Sequence, residues 1–213
     1  MNDFNAHTSL NQAKFDAWAS SYEDKRFDFF RRMQKRVLSI LGLKADSAFL
    51  DVGCGTGWAV RQAATMIGER GAAYGIDLSP RMIEKANEAA SGIKNVRFIQ
   101  ANAEQIPFPD DFFDHIICTM SFHHYLHPGA VMREIARVLK PRGTVCIVDP
   151  TTDSFILKWT DALIRRRQPE HVRFYSTLEF REFFQTSGLD YTDSKRVVLL
   201  WFSAKAHFAK KMK

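Results

Sequence analysis

The chain has 213 residues, 46% of them hydrophobic and 25% charged, enough for one sizeable core and unlike disordered or disulfide-built chains. Its net charge of +6 and pI near 9.3 favour anionic partners, but much of the excess lies in the RRR run at 165–167 and the AKKMK ending, and basic tails are by default solvated. The opening MNDFNAHTSLNQAKFDAW lacks the basic start and apolar core of a signal peptide, and the apolar runs are far too short to cross a bilayer, so the expectation is a cytoplasmic protein without a transmembrane segment.

In chain order, Phe15, Trp18 and Tyr22, then Phe30, Met33, Val37 and Leu41, recur at spacings of three or four and predict helices with one apolar face. AFLDVG (48–53) predicts a strand, VRQAATMIG (60–68) a helix and AAYGID (72–77) a strand. SPRMIEKANEAA (79–90) predicts a helix for which Ser79 and Pro80 supply the start signals. NVRFIQA (95–101), FDHIICTM (113–120) and GTVCIVD (143–149) read as strands, with Pro128 opening the helix GAVMREIARVLK between the last two. Beyond Asp149 come a helix near 153–166, another from Ser176 with Glu179 completing a capping box, and strand-like runs at 189–197 and 199–208. Strand and helix alternate without a linker or an internal repeat, which predicts a single α/β domain with a parallel sheet covered on both faces, doubly wound and Rossmann-like.

In such a sheet ligands bind beyond the carboxyl ends of the strands, at the point where the strand order reverses. The five ends here are Asp51 with a glycine loop, Asp77, Asn102, the segment 120–124, and Asp149. An elongated ligand with a polar, sugar-like part near Asp77 fits this set. The loop competes between two cofactor classes. A dinucleotide site wants G-x-G-x-x-G, whereas this chain has Gly53, Gly55 and Gly57, with Trp58 where the third dinucleotide glycine would stand. That bulk argues against a nicotinamide dinucleotide.

LDVGCGTG, GIDLSPRMIEKA and the stretch from NVRFIQANAEQIPFPDDFFDHIICTMSFHH to MREIARVLKPRGTVCIVDP instead resemble, in order, the motifs of class I S-adenosylmethionine-dependent methyltransferases. The likeness runs over about residues 12–150 and is greatest to the small-molecule enzymes of ubiquinone and menaquinone biosynthesis; the upstream FDAWASSYEDKRF resembles their amino-terminal helix. The resemblance implies a seven-stranded, mostly parallel sheet with one antiparallel strand near its edge. It also divides the single domain into an N-terminal helical lid (1–44), a cofactor-binding core (45–150) and acceptor-side helices with the last two strands (151–213).

S-adenosyl-L-methionine is then the expected cofactor. Gly53 and Gly55 let the backbone approach its methionyl part, with Cys54 between them, and Asp51 is placed to pair with the ammonium directly or through water. Asp77 suits the ribose diol. Asn102, where the resembling sequences more often carry aspartate, is a neutral and weaker acceptor for the adenine amino group, next to Ala103. Leu78 and Met120 supply apolar walls. Each aspartate has a plainer role open to it as a turn or helix cap, and Cys54 as a small filler.

Methyl transfer needs orientation and exclusion of water, and a base only for a protonated acceptor. His123 and His124 are the candidate catalytic residues, with Tyr22 and Asp149 further candidates, although paired histidines here also serve as site wall. Tyr22 and Trp18 read equally as core or as part of a lid. His123 and His127 are four apart, but Pro128 interrupts a helix there and no third ligand is in view, so no metal is expected. None of the three cysteines has ligand spacing. A small-molecule acceptor is expected, the aromatics of 151–187 forming an apolar pocket or simply core. RNA is the less favoured acceptor, because TMSFHH lacks the Asn/Asp-Pro-Pro-aromatic element of base-amine methylation and any Pro-Cys pair. A non-catalytic binding module is the remaining alternative.

Overall fold

The computed structural model describes residues 2–19, 28–168, 171–197 and 204–212. Helices α1 (Asn2–Trp18) and α2 (Asp28–Leu41) precede β1 (Ala48–Val52), α3 (Trp58–Ile67), β2 (Ala72–Asp77), α4 (Pro80–Ala89), β3 (Val96–Gln100) and β4 (Phe113–Thr119). A 3-10 turn at Phe122–His124 leads into α5 (Pro128–Val138), β5 (Leu139–Pro150), α6 (Phe155–Arg167), α7 (Thr177–Thr186), β6 (Leu189–Arg196) and β7 (Ala204–Lys211). The strands form one sheet in the order β3-β2-β1-β4-β5-β7-β6, parallel except for β7, which runs against both its neighbours. The order reverses between β1 and β4, so a crevice opens beyond their carboxyl ends.

Both faces of the sheet are covered because alternate residues of one strand feed opposite cores. Leu50 and Val52 of β1 pack with Ile116, Ile147 and the α5 and α7 residues Ile135, Phe180 and Phe184. Phe49 points the other way, to Ile117, Cys146, Val148 and the α2 and α3 residues Val37, Leu38, Val60 and Ile67. The central strands β1, β4 and β5, buried on both sides, are therefore nearly continuous apolar runs, which is why they are legible in the sequence. Ser79 accepts from the Met82 amide with Pro80 in the first turn of α4, and Ser176 and Glu179 form the expected capping box of α7.

Four boundaries or roles differ from the expectation. α5 ends at Val138 and β5 starts at Leu139, where Leu139 pairs with Phe113; Pro141 disfavours helical backbone at Lys140. The last strand is Ala204–Lys211, not 199–208, and residues 198–203 lie outside the described set. Trp18 is 40% exposed, so it is not core. The basic ending is not merely solvated: Lys211 donates to Asp111 at 2.6 Å and to the Ala136 carbonyl at 2.8 Å.

β7 carries a buried histidine. His207 stacks on Phe180 at 4.2 Å and its Nδ1 meets the Tyr191 hydroxyl at 3.1 Å. Burial first, then the Lys205 charge, lowers its pKa to about 3. An unfolded histidine titrates near 6.5, so the unfolded chain binds a proton that the folded one refuses as pH falls from about 6.5 to about 3. Urea midpoints between pH 7 and pH 4 should fall steadily in the wild type, and His207→Phe should flatten that slope by up to about 1.4 kcal/mol per pH unit.

Candidate active site

The glycine loop leaves β1 in a backbone that only glycine adopts easily: Gly53, Gly55 and Gly57 have φ of 76°, 54° and 73°. The amides of Gly53 and Cys54 both donate to the Ile76 carbonyl at 2.9 Å, tying the loop to β2. A Cβ at Gly53 would lie 2.2 Å from Ser121 Oγ, so glycine lets the loop and the end of β4 touch. A Cβ at Gly57 would fall 2.3 Å from the Phe98 ring, so Gly57 serves packing as well as the turn.

Asp77 ends β2 with each oxygen already holding one backbone amide: Gly55 donates to Oδ2 at 2.8 Å and Ser79 to Oδ1 at 2.9 Å. Burial raises its carboxyl pKa, and those amides oppose the rise. Each oxygen keeps a lone pair free, which matches a pair of adjacent hydroxyls. Asp51 is fully buried, and neither oxygen has a hydrogen-bond partner among the described residues. Burial, and secondarily the charge of Asp77, pushes its pKa up to about 8. A buried carboxyl without a partner is rare and unfavourable, so it marks a place meant for a ligand group or for water.

Beyond the loop lies a cleft open to solvent. Gly53, Gly55, Asp77, Leu78, Asn102, Ala103 and Met120 all line it. Asp51 and Cys54 do not; Asp51 sits beneath the loop, and Cys54 is buried against Gly75 as a filler. The Asn102 side-chain oxygen accepts from the Glu104 amide at 2.9 Å, an Asx turn that shapes the wall and uses one of its lone pairs. Met120 has a φ of 55°, strained for a long side chain, and its amide donates to Val148 at 2.8 Å.

The two histidines part company. His124 lines the cleft, while His123 is buried behind it with Nδ1 2.8 Å from Asp149 Oδ1. Burial lowers the His123 pKa to about 3 and raises that of Asp149, so it disfavours the charged form of each. Tyr22 lies outside the described residues. Among the described residues no cluster suited to a metal ion occurs. The aromatics of 151–187 do not gather into a pocket: Tyr175, Phe180 and Phe184 are core, whereas Phe155 and Trp159 are 84% and 64% exposed.

The expected N-terminal lid corresponds to α1, but sequence reasoning missed the residues with which it meets the cleft. His7, Thr8, Asn11 and Phe15 of α1 line the cleft. His7 Nε2 lies 2.9 Å from the His124 carbonyl oxygen and Asn11 Nδ2 donates to it at 3.1 Å, while the Phe15 ring meets that of His124 edge-on at 5.1 Å. Further along, Asp16 Oδ1 accepts from Ser79 Oγ at 2.5 Å, beside Asp77. Tyr125 was also missed; its hydroxyl lies 2.9 Å from Ser121 Oγ.

Comparison with known proteins agrees with this geometry. A family described as a methyltransferase domain matches residues 50–147. An uncharacterised methyltransferase of Bacillus subtilis, YcgJ, is 32% identical over 194 residues, which cover 87% of this chain and 74% of that protein. Its crystal structure superposes with a TM-score of 0.73 at 26% identity, over 86% of this chain and 99% of that one. Demethylmenaquinone methyltransferases of Staphylococcus aureus are 31% identical over 124 residues, 58% of this chain and 51% of theirs, so the match spans about half their length. A SAM-dependent methyltransferase of Aquifex aeolicus has a TM-score of 0.73 at 25% identity, over 92% and 97% of the two chains.

Asp51 provides a test that needs no ligand. Its folded pKa of about 8 exceeds the unfolded 3.8, so the stability it removes grows as pH rises from about 4 to 8 and is constant above. Asp51→Asn should therefore gain on the wild type across that window by up to about 1.4 kcal/mol per unit, read as urea midpoints. Parallel curves for the two proteins would contradict the assignment.

Proposed function

The chain belongs to the methyltransferase-domain family, the class I S-adenosylmethionine-dependent methyltransferases, and we propose that it transfers the methyl group of S-adenosylmethionine to a small, largely apolar acceptor. The observation that carries the reading is the orphaned Asp51 carboxyl beneath a glycine cradle, one strand from an Asp77 whose outward lone pairs are free. An ammonium would partner the first and a ribose diol the second. Bound there, the donor supplies a methyl carbon already activated by its sulfonium.

The protein's own contribution is placement and dryness. Gly53 and Gly55 keep side chains out of the donor's path, and Leu78 and Met120 wall its adenosine. α1 covers the cleft through its bonds to the His124 carbonyl, which limits water at the reacting centre. The His124 ring is the cleft-lining imidazole, and it would take a proton from an acceptor that arrives as an alcohol, phenol or ammonium. His123, behind it, positions rather than reacts. Phe15, Leu126 and the Met120 side chain add apolar wall, which supports an apolar acceptor.

Two outcomes test the donor assignments by calorimetry. Asp77→Ala should weaken S-adenosylmethionine binding about 10- to 100-fold, the scale of charged hydrogen bonds lost. Because Asp51 holds its proton at neutral pH in the free protein, donor binding at pH 7 should release about one proton, measured in buffers of differing ionisation enthalpy, and Asp51→Asn should abolish that release. Labelled methyl transfer to a panel of quinols, phenols, amines and RNA then identifies the acceptor; incorporation into RNA alone would overturn the small-molecule reading.

A further inference from the structure

α6 is built inside out. Its one buried residue is Asp161, whose Oδ1 accepts from the Phe174 amide at 2.7 Å and lies 2.7 Å from His171 Nε2. Those two bonds fix how the helix is rotated about its axis. At about 100° per residue, the side opposite Asp161 carries Phe155, Ile156 and Trp159. They are exposed to 84%, 73% and 64%. A helix that serves only its own fold turns its apolar face inward; here that would strip the buried acid of its partners.

Cations frame the exposed face. Lys158, Arg166 and Arg167 form no ion pair among the described residues, whereas Arg165 lies 3.3 Å from Asp161. An apolar stripe holding a tryptophan and a phenylalanine, bordered by unneutralised lysine and arginine, is the pattern of a helix lying in a bilayer interface. A second copy docking through the same face would bring those like charges together. A nucleic acid would use the cations but leave Ile156 in water.

We propose that α6 seats the protein on an anionic lipid surface, with Phe155, Ile156 and Trp159 entering the boundary between headgroups and acyl chains and Lys158, Arg166 and Arg167 meeting lipid phosphates. α6 springs from the carboxyl end of β5, the edge that holds the cleft, and Gln168 at its end accepts from Lys14 of the covering helix α1 at 3.1 Å. The docked protein thus presents its cleft to the bilayer. This deepens the proposed function and rests on it in one respect: the apolar acceptor becomes a molecule dissolved in membrane.

Co-sedimentation of the full chain, without donor, with phosphatidylcholine vesicles lacking or containing phosphatidylglycerol tests the inference. Binding should be at least about tenfold tighter to the anionic vesicles and should weaken with salt. The double variant Phe155→Ser with Trp159→Ser should lose at least about tenfold in binding to them. Arg166→Glu with Arg167→Glu should erase the anionic preference, and Met66→Ser, an exposed site on α3, should change nothing. Circular dichroism and donor calorimetry on each variant report folding separately. Loss of vesicle binding with donor binding intact in the α6 variants supports the inference, whereas vesicle binding in a protein that never binds donor fails the proposed function alone. Equal binding to both vesicle types, α6 variants that alter only the sedimenting mass, or RNA binding in place of vesicle binding would overturn it.

Discussion

Parallel strands deliver all their carboxyl ends to one edge, and at the centre of that edge the chain buries an acid with nothing to hold. Asp51 and Asp77 end neighbouring strands, and the charge of the second helps to keep the first protonated. Two acids so close favour a cation and disfavour a polyanion. The bulk of Trp58, where the third dinucleotide glycine would stand, argues in the same direction. The glycines follow from the same constraint: with Gly53 against Ser121 and Gly57 against Phe98, a side chain at either would push the loop off the acids it frames.

The cover over this edge is tied at two ends. Near its start, α1 grips the His124 carbonyl through His7 and Asn11. Near its finish, Asp16 holds Ser79, which caps α4 beside the ribose-binding candidate Asp77. One helix thus ties the segment after β4 to the start of α4 across the cleft. The anchors are hydrogen bonds rather than a packed apolar face, and such contacts open at lower free energy than core packing does.

The sheet was legible from residue patterns because the central parallel strands read as nearly unbroken apolar runs, and because Pro80, Pro128 and the Ser176–Glu179 box mark helix starts. The cleft-lining residues that were legible, such as Gly53, Asp77, Asn102 and Met120, lie at strand ends. What escaped depends on tertiary contact. β7 is short of apolar pattern and takes its place by pairing with β5 and β6. α1 carries Leu10, Phe15 and Trp18 among mostly polar residues, so its periodicity does not single out His7, Thr8 and Asn11 as facing the cleft. His123 and His124 are adjacent in sequence, yet a 3-10 turn sends one into the core and the other into the cleft. α6 defeats periodicity outright, since its inward residue is Asp161 and its aromatic side faces water.

The charge pattern along the cleft follows from which buried acids are given partners. Asp149 has His123 and Asp161 has His171, and the two imidazole rings lie 5.2 Å apart behind the wall. Burial disfavours the charged form of both His123 and Asp149. Asp51 and Asp77 have only backbone amides between them, and Asp51 has none. The end of the cleft at Asp51 and Asp77 therefore calls for positive charge and hydroxyls, while Phe15, Leu126 and Met120 give the rest apolar surface. Under the proposed function that gradient helps to orient two different molecules, because each would bury uncompensated polarity if it entered the other's half.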